Sequence, residues 1–290
     1  KLRPLAGRYN MQFKRGAVTA EGHVKYAPWV KEIRLLELLV DHMHVDYVHS
    51  ARTAKKEKRE GNHVAKKAKE IHRRADMLVK VGHAKVLNSE VGFVNQAASP
   101  DYRVFVDELN VEVEDFSNRL EEGSAVVKVT GKFMGTGRTL VKGKFRPEKP
   151  DPDFDLDVQI VKTRLPSMNN VFRAYSDVDL KAGTFAFFSE MKVKDGHVDG
   201  YVKPFFKDVE VYDPEQDQNK AVMQKMFEAV VDGVMGILEN VPTKGVATET
   251  SLEGPVENPR ADTWEVVVNL VQNAFFKAIL PGLERESKRT

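Results

Sequence analysis

DFDLDVQIV, residues 153–161, alternates strictly between polar and apolar side chains. In an extended chain successive side chains point to opposite faces. Phe154, Leu156, Val158 and Ile160 therefore share one face, and Asp153, Asp155, Asp157 and Gln159 the other. The stretch predicts a strand with one dry side and one wet side. The same period runs through YRVFVDELNVEVE, residues 102–114, where Val104 and Val106 set one parity and Leu109, Val111 and Val113 the other. The phase slips at Asp107-Glu108, which predicts a bulge, or a bend between two short strands. SAVVKVTGKFMGTGRTLVKGKF, residues 124–145, reads as two strands joined by a turn near Gly135 and Gly137. In GTFAFFSEMKVKDGHVDGYVKPFF, residues 183–206, Asp195-Gly196 is the two-residue turn of a hairpin, because both positions tolerate positive φ. Strand after strand with short links predicts an antiparallel sheet.

Three segments have helical spacing instead. Residues 51–77 are rich in Ala, Lys, Arg and Glu, with Val64, Ala68, Ile71 and Ala75 on one face. Residues 216–238 carry a stripe that includes Met223, Phe227, Val230 and Val234, with Pro242 beyond the end. After Asp262, a helix-capping residue, the stripe Trp264, Val267, Val268, Val271, Phe275 and Ile279 runs to Pro281. The expected fold is α+β and mainly β. A long, curled antiparallel sheet with an apolar concave face spans 1–212 and carries a basic helical insertion at about 51–77. The polar run DPEQDQNK, residues 213–220, marks the seam to a C-terminal segment, 213–290, whose two amphipathic helices pack on the sheet.

Bulk composition narrows the function. The 290 residues are 41% hydrophobic and 30% charged, with a formal net charge of +2. That balance does not fit a dedicated nucleic-acid binder, which is usually basic over a whole domain. The absence of cysteine removes disulfides, thiolate metal sites and cysteine nucleophiles. No apolar run reaches the ~18 residues of a spanning helix.

The motifs that could carry chemistry have plainer readings. DHMHVD, residues 41–46, holds two histidines and two aspartates. If 41–49 is a regular strand, His42, His44 and Asp46 share one face. The binuclear zinc hydrolase signature that this spacing resembles needs a further histidine after the aspartate, and Tyr47 stands there. GTGRT at 135–139 lacks the Lys-Ser/Thr of a phosphate loop. The alternating aspartates from Asp151 to Asp157 line a strand rather than wrap an ion. No catalytic residue, metal or cofactor is expected. From Arg52 to Arg74 ten basic residues stand against three acids. A solvated helix face is the plainer reading. The functional one is attraction of Lys55, Lys56, Lys66, Lys67, Arg73 and Arg74 to an anionic membrane surface.

FSEMKVKDGHVDGYVKPFFKDVEVY, residues 188–212, resembles the AsmA-like proteins of the bacterial envelope, in their branch of domains of unknown function. Residues 86–118, with the Ser99-Pro100 turn, and NAFFKAILPGL, residues 273–283, are similar to the same family. The resemblance covers about residues 80–285 and leaves the basic insertion unplaced. It implies a curled sheet with a hydrophobic inner surface, facing the periplasm. It further implies an inner-membrane anchor through an N-terminal segment outside this chain, and a part in moving phospholipid towards the outer membrane or keeping the envelope intact. A sheet with one apolar face must cover it, close on itself or fill with ligand. The residues expected to hold acyl chains are Phe154, Leu156, Val158 and Ile160, with Phe185, Phe187 and Met191 on the hairpin. The rival expectation is a periplasmic scaffold with a filled core, binding a protein partner through strand edges or the basic helix.

Overall fold

A computed structural model describes residues 10–53, 77–117, 124–145, 153–176, 179–211, 243–246 and 249–255. These form one open sheet of eleven strands. In chain order they are β1 (Met11–Ala27), β2 (Val30–His49), β3 (Met77–Asn95), β4 (Tyr102–Ser117), β5 (Ala125–Phe133) and β6 (Gly137–Phe145). Then come β7 (Phe154–Arg164), β8 (Leu180–Lys194), β9 (His197–Val211), β10 (Thr243–Val246) and β11 (Glu249–Pro255). Neighbours in space follow chain order, except that β11 joins β9 and β10 lies outside it. The C-terminal segment thus adds strands to the sheet edge.

The expected antiparallel sheet holds with one correction. β2 and β3 are parallel, from Lys31 opposite Met77 to His49 opposite Asn95. A parallel neighbour needs a crossover instead of a tight turn, and the chain between His49 and Met77 supplies it. Of the predicted insertion, Ala51–Thr53 is a turn and Met77 already opens β3; residues 54–76 lie outside the described residues. So do the predicted helices 216–238 and 262–279; the strands Thr243–Val246 and Glu249–Pro255 fall between those two ranges.

The turns behave as their residues dictate. Asp195 and Gly196 have φ of 50° and 73° and leave Lys194 opposite His197, the primed geometry that matches strand twist. Phe133 faces Gly137 across the Met134-Gly135-Thr136 turn.

The phase slip in β4 is a bulge inside one continuous strand, where Glu108 takes φ 46°. It belongs to a transverse band. Gly16, His42, Asn88, Glu108, Lys162, Gly183 and Asp208 all have positive φ, and the pairing registers shift beside them. Each bulge inserts one residue and turns its strand over in phase. Val111 and Val113 on one side of the band therefore share a face with Tyr102 and Val104 on the other.

Below this band the apolar face is sealed. After β7, Leu165–Met168 form a 3₁₀ turn that leads into a short helix, α1 (Asn169–Ser176). Neither was anticipated from periodicity. Leu165, Met168 and Phe172 pack on Phe93, Tyr102, Val104, Met134, Leu180 and Phe185 as the hydrophobic core. The Asn169 side chain anchors the helix to the start of β8. Its Nδ2 donates to the Leu180 carbonyl at 2.8 Å, and its Oδ1 accepts from the Leu180 N–H at 2.9 Å.

Candidate functional site

Above the band the registers align two apolar rows across nine strands. Residues opposite one another in a ladder share a face. The first row is Val18, Val40, Val86, Val111, Val129, Val141, Val158, Ser189 and Val202, each opposite the next. The second is Ala20, Leu38, Ala84, Val113, Val127, Gly143, Leu156, Met191 and Gly200. With ~4.8 Å between strands, each row is about 38 Å long.

Exposure along the first row is graded. Val18 is 58% exposed and Val202 0%, and the six valines between Val40 and Val158 are half-buried. The described strands thus present a broad apolar strip that still meets solvent towards β1. Its small side chains (Val, Ala, Gly) leave a shallow surface.

The sequence-predicted residues divide between the two zones. Leu156 stands between Gly143 and Met191, and Val158 between Val141 and Ser189, on the seventh of the nine strands; Leu156 and Val158 are half-buried, whereas Met191 is buried. Ile160 and Phe187 face each other nearer the band. Phe154 is fully buried, its ring 5.9 Å from that of Phe145. Phe185 lies in the sealed core with its ring 5.3 Å from Phe206. The valines of β2 to β6 were not singled out. Alternation marked them as one-sided, but only the register shows that they line up.

The opposite face is charged. Asp155 lies between Lys144 and Lys192, Asp157 faces Lys142, and Glu112 faces Lys128. Lysines thus flank Asp155 on both sides, whereas Asp157 has Lys142 on one side and Glu190 on the other.

DHMHVD falls on this wet face at the end of β2. His42 sits in the band with φ 48°, and its Nδ1 lies 2.8 Å from Asp41 Oδ1; the bulge breaks the regular alternation that would align it with His44 and Asp46. Those two enter a cluster with Lys14, Glu90 and Arg103. Lys14 Nζ is 2.9 Å from Asp46 Oδ2 and 3.0 Å from His44 Nε2. Arg103 Nη2 donates to Asp46 Oδ1 at 2.7 Å and to Glu90 Oε1 at 2.6 Å. His44 Nδ1 is 3.3 Å from Glu90 Oε2. Burial alone would raise the Asp46 pKa, but hydrogen bonds and charge from Arg103 and Lys14 outweigh it and hold the carboxyl below its ordinary range. Two cations thus occupy the carboxylate lone pairs that a metal would need. Among the described residues no group of three or more His, Asp or Glu side chains is arranged to hold a metal ion. Nor is any described helix long and apolar enough to cross a membrane.

The sequence matches no known family description and no curated protein.

Proposed function

We propose that the protein is a non-enzymatic lipid-handling module of the bacterial envelope, of AsmA-like type. It would act in the periplasm and aid phospholipid movement between inner and outer membranes, or envelope integrity. The reading rests on one observation, the pair of apolar rows that cross nine strands in register and stay partly open to water from β1 to β7. An acyl chain laid along them exchanges water contact for valine and leucine contact, a gain of ~0.8 kcal/mol per buried methylene. Headgroups remain in water at the edge of the strip, so discrimination among lipids is weak. Of the seven residues that alternation and the hairpin single out, Leu156 and Val158 stand half-buried in the rows as acyl-chain contacts, and Val129 and Val141 extend them. The test is titration with a fluorescent fatty-acyl probe together with lipid mass spectrometry of protein purified from bacterial membranes. Saturable binding that is lost in Val129→Asp supports the proposal. No probe binding and no co-purified lipid sinks it.

A second reading, a scaffold that binds a protein partner, draws on the free edge of β1. All but three of its 17 residues are exposed, and among the described residues β2 is its one strand neighbour. Such an edge can receive another strand. Protein crosslinks that map to β1 with no bound lipid would favour it.

A further inference from the structure

The β1–β2 hairpin ends in an exposed aromatic tip that neither the core nor the apolar rows use. Ala27 pairs with Val30, so Pro28 and Trp29 make a two-residue turn. Trp29 is 86% exposed, Tyr26 80% and Val24 74%. Pairing of β4 on β3 ends at Ser117 opposite Lys80, and Lys80 is level with Arg34. The tip therefore reaches past the β4 end of the ladder. Between His23 and Arg34 the charged side chains are Lys25, Lys31 and Arg34 against Glu32, so the tip is cationic as well as apolar.

We propose that this tip docks on a membrane surface that carries anionic lipid headgroups. Tryptophan and tyrosine have an apolar ring with one polar atom, which suits the depth where headgroups meet acyl chains. The backbone of both strands is paired up to the turn, and Pro28 has no N–H to satisfy. The outer edge of β1 keeps backbone groups that need water, so the tip enters only as far as the hydrated headgroup layer. The neighbouring cations supply attraction to phosphate and an orientation with the hairpin pointing at the bilayer. The docking needs no acyl chain on the sheet and stands apart from the lipid-handling reading.

The test is co-sedimentation of the full chain with vesicles of phosphatidylcholine alone, or of phosphatidylcholine and phosphatidylglycerol at roughly 3:1, across a salt series. Binding to the anionic vesicles is expected, weakened by salt. The double variant Tyr26→Ser, Trp29→Ser should bind about tenfold more weakly. Brominated phosphatidylcholine in the vesicles should quench wild-type tryptophan emission, and Trp29→Ser should remove that quenching. Unchanged binding by the double variant overturns the proposal, as does quenching that persists without Trp29. Binding lost only on replacing Lys66 and Lys67 would overturn it in favour of the basic stretch. A lipid-free dimer abolished by the double variant would overturn it in favour of a second copy of the chain. A fluorescent fatty-acyl probe should bind the double variant Tyr26→Ser, Trp29→Ser like the wild type, which keeps this outcome separate from failure of the acyl-chain reading.

Discussion

Arg103 on β4 and Asp46 on β2 meet across the strand between them, with Nη2 2.7 Å from Oδ1. Gly92 of β3, opposite Asp46, makes the meeting possible. A Cβ there would overlap Asp46 Oδ1 and come within 2.7 Å of Arg103 Nη2. Gly92→Ala must displace the ion pair, and a buried carboxylate separated from its partner is costly. The expected loss is about 2–3 kcal/mol of folding stability, read from the urea midpoint. A loss under about 0.5 kcal/mol, the range of ordinary surface changes, would mean that the pair shifts aside freely.

The same pair sets a pH dependence. In the folded protein the Asp46 pKa lies below its ordinary value, through Arg103 and Lys14. An unfolded aspartate titrates near ~3.9. The stabilising contribution is therefore complete above that value and fades as pH falls through it towards the folded pKa. The stability gap between wild type and Asp46→Asn should be constant above about pH 5 and shrink below about pH 4. Urea titrations from neutral to acid pH measure it. A gap that grows on acidification would contradict the assignment.

Lys162 adopts φ 64° in the bulge of β7. The left-handed region costs an ordinary L-residue about 1–2 kcal/mol, and glycine almost nothing. Lys162→Gly should raise stability by about 0.5–1 kcal/mol after the added chain entropy of the unfolded state is subtracted. Gly183 is the reverse case, with φ 122° and Leu165 Cδ1 2.7 Å from the place of a Cβ. Gly183→Ala should lower the thermal midpoint. Equal midpoints for both variants would show that the band is pliable.

Sealed and open apolar zones should respond differently to truncation. Phe172 is 5% exposed and packed in the core, so Phe172→Ala should cost about 3–5 kcal/mol. Leu156 is only half-buried, and Leu156→Ala should cost under about 2 kcal/mol, because part of its surface already meets water. Chemical denaturation of the two variants decides it. Comparable losses would place Leu156 in a second closed core and remove the room for an acyl chain.

Much of the local structure was legible in the sequence. The alternation at 153–161 identified β7, Asp195-Gly196 the β8–β9 hairpin, and the phase slip at Asp107-Glu108 a break in β4 that proves to be a bulge. These signals are local, because side-chain parity and turn dihedrals depend on a few adjacent residues. The parallel β2–β3 pairing was not legible, since a strand's own pattern does not specify the direction of its neighbour. Nor was the salt cluster of Lys14, His44, Asp46, Glu90 and Arg103, whose members come from four strands.

The sequence alone determined that this chain builds ribbons with one dry side, for that is written in a two-residue period. Only the tertiary structure decided how the dry sides are used. Register placed eight valines and a serine in one line across nine strands, and a shared band of bulges kept residues of opposite parity on one face. The 3₁₀ turn and α1 then sealed one end of that face. Register and bulge alignment arise from hydrogen bonds between strands, and no single strand's sequence contains them.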